Sequence, residues 1–301
     1  MEGRVYSIQT VLILGAGTMG QMISQVCAEH GLKVHVYDIM DHMLEKAGLK
    51  IAKRLNEKIV AGQITEEEAN KMLSNIEYFS DASLAAKDVD IISESVPEDP
   101  ELKGRVFKTF HEICPPETIF TTNTSSLLPS QFAKKTGRPE KLCALHFHDT
   151  RFTNIVDVMP HEGTSPETIE KVTAFAKSIG QVPIVLEREN NGYVFNQMLM
   201  NLLDSALTLA QRKVTSIQEI DKSWMGVMHT LLGPFGIMDS IGLDTVWKIT
   251  DYWAQKTGNP QAKANAEFLK SYLDQGKKGT KTGEGFYRYP GPEYANPDFL
   301  K

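Results

Sequence analysis

The segment Ala144-Leu145-His146-Phe147-His148-Asp149 sets two imidazoles and a carboxylate on a run that otherwise reads as a buried strand. An imidazole titrates close enough to neutrality to take a proton from a substrate or to return one. A His-x-His pair can also bind a metal, but no third and fourth ligand with recognisable spacing accompanies it, so no metal is expected. Upstream, Thr122-Asn123-Thr124-Ser125-Ser126 follows an apolar run, which puts hydroxyls at the carboxyl end of a strand, where open α/β sheets bind ligands. Downstream, Asp157 stands on the next β-rich run, close enough in sequence to meet His146 across a hairpin-like turn. A carboxylate on one ring nitrogen fixes the imidazole tautomer and favours the imidazolium once formed, so pairing with Asp157 would make His146 a stronger base. Ser125 is favoured over Ser126 as a positioning hydroxyl, the ordinary role of either being a helix N-cap. His148 and Asp149 are expected to shape a pocket or to fill a loop.

A second constellation lies near the start of the chain. Residues 11–20, VLILGAGTMG, place Gly15, Gly17 and Gly20 in G-x-G-x-x-G spacing directly after an apolar strand and before an amphipathic helix. In that context Gly15 permits the tight turn, Gly17 lets the backbone approach a pyrophosphate, and Gly20 lets helix and strand pack closely. With Thr18 and Met19 these residues form the candidate cofactor loop, whose helix N-terminus supplies amide donors and a partial positive charge. The second strand ends at Asp38, placed to accept from the adenosine ribose hydroxyls. A 2′-phosphate would be repelled there and Ile39-Met40-Asp41 offers no arginine, which favours NAD. FAD-binding proteins share the fingerprint, so the loop alone does not name a nicotinamide.

The elements that must hold these groups follow from periodicity. Short β-rich runs at 11–14, 33–38, 89–94, 118–121, 141–146, 155–159 and 182–186 alternate with helical stretches, the pattern of a sheet with helices on its faces. Between the second strand and Ile76 the reading is a helical hairpin, broken at Ala61-Gly62-Gln63 and restarted by a capping box, Thr65 with Glu68. Ser165-Pro166 sets an N-cap and first-turn proline. After Asn190-Asn191-Gly192 the strand signals stop, and residues 193–213, 216–225, 243–257 and 260–274 carry helical periodicity. The expected architecture is therefore α/β: a Rossmann-type dinucleotide-binding domain over residues 1–188, then an all-α domain over 189–301. A loop over 275–285 should lead to Phe286-Tyr287-Arg288-Tyr289 packing back on the body.

The chain of 301 residues, 41% hydrophobic and 23% charged, is long enough for two domains. No run approaches the roughly 18 apolar residues needed to span a bilayer, and a net charge of −6 gives no basic footprint for nucleic acid. The odd, widely spaced cysteines Cys27, Cys114 and Cys143 read as reduced core residues. The N-terminus lacks the apolar region of a signal peptide, which makes the cytoplasm the expected address.

Across nearly its whole length the chain resembles the L-3-hydroxyacyl-CoA dehydrogenase family. The matching pieces are the glycine loop with Asp38, Glu98 and Lys103, Asn123-Thr-Ser125-Ser, His146-Phe147, Val156-Asp157-Val158, Gly192-Tyr-Val-Phe-Asn196, Gly233-Pro234-Phe235 and Gly242-Leu-Asp244-Thr245. The resemblance implies NAD-dependent oxidation of a short 3-hydroxyacyl-CoA of the 3-hydroxybutyryl type, a step of fatty acid metabolism. It further implies His146 as catalytic base, Asp157 in the place of the orienting glutamate, Ser125 and Asn196 positioning the substrate, and Glu98, Lys103 and Asn123 at the cofactor. A C-terminal helical domain that forms a homodimer is implied as well.

Some features depart from the family. Its histidine is usually followed by Phe-Phe-Asn-Pro, whereas here Phe147-His148-Asp149-Thr150 follows and one residue fewer precedes Asp157. Aspartate also reaches less far than glutamate. The hairpin turn Val60-Ala61-Gly62-Gln63 lacks the lysines that suit coenzyme A phosphates. The details Asn123-Thr-Ser-Ser-Leu-Leu-Pro-Ser, Ala144-Leu-His-Phe and Gly283-Glu-Gly-Phe-Tyr-Arg-Tyr resemble a branch that includes bacterial diketoreductase, which reduces carbonyls without CoA. Two alternatives thus accompany the acyl-CoA reading: the same chemistry on a free hydroxy acid or diketone, and a non-catalytic, crystallin-like NAD(H)-binding protein. The 6-phosphogluconate-like β-hydroxyacid dehydrogenases use a lysine on the interdomain helix, where none precedes Lys213 here.

Overall fold

The structure, a computed structural model, describes residues 8–301 and divides into one unit running to Val194 and a second, Phe195–Lys301. In the first unit the chain forms β1 (Thr10–Leu14), α1 (Thr18–Glu29), β2 (Lys33–Tyr37), α2 (Asp41–Val60), α3 (Glu66–Ser74), β3 (Ile76–Phe79), α4 (Ala82–Ala85), β4 (Ile91–Glu94), α5 (Pro100–Ile113), β5 (Ile119–Thr122), β6 (Leu142–Phe147), β7 (Ile155–Met159), α6 (Pro166–Ser178) and β8 (Val182–Val185). The strands make one sheet ordered β3-β2-β1-β4-β5-β6-β7-β8. Every neighbouring pair is parallel except β6 and β7, which run antiparallel.

All of β1 is buried because helices cover both faces of the sheet. Alternation sends Val11 and Ile13 to one face, against Ile23 and Cys27 of α1, Ile51 of α2 and Phe175 of α6. Leu12 and Leu14 go to the other, with Phe107 and Phe110 of α5 and with Phe120. Full burial of each such side chain contributes about 1.5–3 kcal/mol. The expected capping box forms: the Glu68 amide donates to Thr65 Oγ1 at 3.2 Å and the Thr65 amide donates to Glu68 Oε2 at 2.7 Å. Ser165 caps α6 by accepting from the Thr168 amide at 3.1 Å.

The expected order of a Rossmann-type sheet followed by helices is the order observed. The sequence reading missed β3, whose four residues follow α3 after the single residue Asn75 and lie on the sheet's edge, where the hydrophobic alternation is weak. It also missed the eight-residue helix at Gly233-Pro234.

The second unit consists of α7 (Phe195–Gln211), α8 (Ile217–Met228), α9 (Pro234–Ile241), α10 (Leu243–Thr257) and α11 (Pro260–Leu273). Leu203, Leu207, Phe235, Met238, Leu243, Leu269 and Tyr287 form its core. The aromatic tail packs back as expected, Phe286 meeting Phe235 edge-on at 4.7 Å. Two fully buried carboxylates pin it. Asp221 accepts from the amides of Phe235 and Gly236 and from the Tyr287 hydroxyl at 2.9–3.0 Å. Asp239 accepts from the amides of Phe286 and Tyr287, both at 2.9 Å, and from the Tyr289 hydroxyl at 3.1 Å. Burial pushes both carboxyls above their ordinary range against the pull of these donors. No described helix is long and apolar enough to cross a membrane.

Asp239→Ala strips three donors of their acceptor, and since an unmade buried hydrogen bond costs about 1–3 kcal/mol, the variant should lose about 3 kcal/mol of stability. Urea unfolding followed by circular dichroism checks this; a loss under about 1 kcal/mol would contradict the pinning role.

Candidate active site

The carboxyl ends of β1, β4, β5 and β6 all lie on one edge of the sheet, since these strands are mutually parallel. After β1 the chain turns at Gly15, whose φ of +102° favours glycine. A Cβ on Gly20 would sit 1.9 Å from the Gly15 carbonyl oxygen, so α1 can seat against the turn only with glycine there. Gly17 is the N-cap of α1 and faces open space, with nothing within 4 Å of where a Cβ would be. A pyrophosphate can therefore approach the amides of the first helical turn, Thr18 and Met19 included. Asp38 follows β2 and is held beside this loop, accepting from the Ala16 amide at 3.0 Å and the Met40 amide at 3.1 Å. Each oxygen keeps a lone pair for a ribose hydroxyl. The open side at Gly17, the helix terminus and the anchored acid fit NAD.

At the end of β4, Glu94 is wholly buried and its Oε1 accepts from Lys103 Nζ at 2.6 Å and the Val96 amide at 2.7 Å. Its Oε2 accepts from the Thr122 hydroxyl at 2.6 Å. Burial dominates and raises the Glu94 carboxyl above its ordinary range despite Lys103. The Lys103 ammonium also donates to the Val96 carbonyl at 3.1 Å and lies 3.2 Å from Glu98 Oε2. Lys103 is only 1% exposed, so it sits beneath Glu98 rather than at the surface. Glu98 Oε1 accepts from the Thr124 hydroxyl and the Ser125 amide, both at 2.8 Å, with the hydroxyls of Ser125 and Ser126 at 3.4 and 3.3 Å. Burial pushes Glu98 up, but Lys103 and these donors outweigh it and hold the carboxyl below its ordinary value. Asn123 Oδ1 accepts from the Phe147 amide at 2.7 Å, tying the ends of β5 and β6 together.

The antiparallel register of β6 and β7 places His146 directly opposite Asp157. His146 Nδ1 lies 3.1 Å from Asp157 Oδ2, and His148 Nε2 lies 3.0 Å from the same oxygen. Burial raises the Asp157 carboxyl, yet the two imidazoles outweigh that and hold it below its ordinary value. The ring of Tyr193 stacks on His146 with centroids 4.6 Å apart and planes 5° from parallel. Its hydroxyl donates to the Thr124 carbonyl at 2.5 Å, which links the histidine to the loop after β5.

Sequence spacing offered the His-x-His pair no third ligand; the strand register supplies Asp157, and the ligand atoms of His146, His148 and Asp157 all lie within 4.8 Å of one another. His148 is thus a partner of the carboxylate rather than loop filling, and its i, i+2 relation to His146 was the available signal. Asp149 does belong to the loop, paired with Arg151. Tyr193 and Glu94 were not singled out, and nothing short of their tertiary contacts marks them. Ser125 is exposed beside Glu98, and Asn196 lies in the first turn of α7, in the second unit.

The family profile described as 3-hydroxyacyl-CoA dehydrogenase, NAD binding domain, matches residues 10–190, and that of the C-terminal domain matches residues 192–289. A probable 3-hydroxybutyryl-CoA dehydrogenase of Bacillus subtilis is 32% identical over 94% of this chain and 98% of its own length. The mitochondrial hydroxyacyl-coenzyme A dehydrogenase of Homo sapiens is 31% identical over 94% of this chain and 91% of its own. Among solved structures, a diketoreductase superposes with a TM-score of 0.86 at 39% identity, covering 95% of this chain and all of that one (100%). The (S)-3-hydroxybutyryl-CoA dehydrogenase of Ralstonia eutropha also gives 0.86, at 30% identity and coverages of 94% and 100%.

Lys103→Met leaves Glu94 buried without its counter-charge, and breaking such a pair costs about 3–5 kcal/mol. The variant should lose that much in chemical denaturation; wild-type stability would show that the ion pair does not support the strand ends.

Proposed function

Because the chain belongs to the 3-hydroxyacyl-CoA dehydrogenase family and is an NAD-dependent oxidoreductase, we propose that it acts at the 3-position of a short 3-hydroxyacyl-CoA or its 3-oxo counterpart, with His146 as general acid and base. The observation that carries this reading is the His146–Asp157 pair, set on one rung at the sheet edge that also bears the glycine loop.

NAD, when bound, supplies the hydride acceptor in oxidation and, reduced, the donor in the reverse direction. Gly15, Gly17, Thr18, Met19, Gly20 and Asp38 would hold it, with Glu98 and Asn123 as further contacts and Lys103 acting through Glu98. His146 keeps its Nδ1 proton on Asp157, which leaves Nε2 to accept the substrate hydroxyl proton. The Asp157 carboxylate stabilises the imidazolium that results. In the reducing direction the same nitrogen returns the proton to the carbonyl oxygen. Tyr193 holds the ring plane by stacking, which keeps Nε2 aimed without a hydrogen bond of its own to that atom. Ser125 and Asn196 hold substrate oxygens, an orientation effect that also stabilises charge developing on them.

A second reading, a substrate without CoA, is favoured by the 39% identity to a diketoreductase and by the turn over residues 60–63, which carries no lysine. We place the enzyme in the cytoplasm, in keeping with its three buried, free cysteines, and as a homodimer formed through the helical unit.

His146→Gln should lower kcat by about 10²–10⁴-fold while NADH binding, followed by fluorescence titration, stays at the wild-type affinity; a smaller loss in kcat assigns the base elsewhere. Rates of NADH oxidation with acetoacetyl-CoA, free acetoacetate and a 3,5-diketo ester separate the two substrate readings. The acyl-CoA thioester should be the best substrate, and an equal or faster rate with either CoA-free compound would transfer the proposal to the second reading.

A further inference from the structure

We propose that His146, His148 and Asp157 form a binding site for one divalent transition-metal ion of the zinc type, and that filling it switches the acid/base function of His146 off. Two imidazole nitrogens and one carboxylate oxygen are donors that first-row dications such as Zn²⁺ accept. Their ligand atoms all lie within 4.8 Å of one another, with Asp157 Oδ2 3.1 Å from His146 Nδ1 and 3.0 Å from His148 Nε2. A tetrahedral zinc with bonds of about 2.0–2.1 Å holds its ligands roughly 3.4 Å apart, so the two imidazole–carboxylate distances need to open by only a few tenths of an ångström, while the two imidazole nitrogens, within 4.8 Å of each other, close by up to about 1.4 Å through a turn of the partly exposed His148 ring. The fourth position falls to water.

The donors are also held in place before any ion arrives. His146 is packed face-on against Tyr193 and edge-on against His148, whose centroid is 4.7 Å away, so its ring cannot swing off the cluster. Asp157 is fixed on its strand opposite His146. His148, partly exposed, marks the side from which an ion enters. Such preorganisation removes much of the ordering cost of assembling a site.

The proton balance is simple. In the metal-free cluster each neutral imidazole directs an N–H at Asp157 Oδ2. The ion takes the place of both protons, and each ring moves its proton to its other nitrogen, His146 from Nδ1 to Nε2 and His148 from Nε2 to Nδ1. No redox change and no net proton release occur. Nε2 of His146 then carries a proton and can accept none, and giving that proton up would leave a metal-bound imidazolate, so the ring is also a poor acid. Binding depends on the geometry alone, whereas the inhibition rests on the proposed role of His146, and the test reads the two separately.

The full chain, treated with chelator and exchanged into metal-free buffer, is titrated with ZnCl₂ by calorimetry and with CoCl₂ by visible absorption, for wild type and for His148→Phe, which installs the phenylalanine usual in the family. Wild type should take up one Zn²⁺ at this site and develop the ligand-field bands of low-coordinate Co²⁺. His148→Phe should lose those bands and bind Zn²⁺ at least about tenfold more weakly, the lower bound set by losses on removing even an outer-shell partner. Zinc at the concentration that fills the site should abolish wild-type turnover, EDTA should restore it, and the variant's residual turnover should resist that concentration. Equal zinc affinity and equal cobalt spectra in the two proteins would overturn the site. Binding that depends on His148 but leaves wild-type turnover untouched would overturn the switch and, with it, the role of His146 as the base.

Discussion

β6 runs parallel to β5 but antiparallel to β7, and that single reversal sets His146 and Asp157 on one rung of the sheet. A register shift of one residue would turn Asp157 to the opposite face, because side chains alternate with a period of two. The apolar neighbours prevent the shift: Val156 and Val158 are buried on the face opposite Asp157, in the core with Phe175 and Ile179. Hydrophobic packing on one side of the sheet thus fixes the pairing of His146 with Asp157 on the other. The shorter loop and the shorter acid, which set this chain apart from its family pattern, still close to a hydrogen-bond distance of 3.1 Å.

Buried carboxylates recur through the molecule, and each is surrounded by donors, as the cost of desolvating a charge requires. Glu94 is answered by an ammonium, an amide and a hydroxyl; Asp221 and Asp239 by amides and tyrosine hydroxyls; Asp157 by two imidazoles. The first three sets are built from backbone amides, an ammonium and hydroxyls, donors that suit structural work. Asp157 alone among these four is answered by imidazoles, the side-chain type suited to passing protons. The acid proposed to support chemistry is therefore distinguished from the acids that support the fold by its partners, since all four are buried.

The loops after β4 and β5 form a second connected system. Glu98 gathers Thr124, Ser125 and Ser126, Lys103 braces Glu98 from below, and the Thr124 carbonyl receives the hydroxyl of the tyrosine stacked on His146. Hydroxyls proposed to hold substrate and the imidazole proposed to take its proton are therefore parts of one hydrogen-bonded frame. Rigid support of this kind favours a single orientation of the reacting groups.

Much of this was legible in one dimension. Glycines spaced as 15, 17 and 20 between a strand and a helix, an acid closing the second strand, and capping residues at Thr65 and Ser165 act over a few residues, so local order encodes them and the structure follows. The short edge strand β3 escaped because its identity comes from pairing with β2 rather than from its own pattern. The sequence by itself could place His146 and Asp157 on neighbouring strands, whereas only the tertiary structure decided that His148 shares the same carboxylate oxygen, that Lys103 lies under Glu98, and that Tyr193 covers the imidazole. The histidine and tyrosine contacts join residues far apart in the chain or across a turn, and all three are settled by strand register and side-chain packing, which no local run of residues specifies.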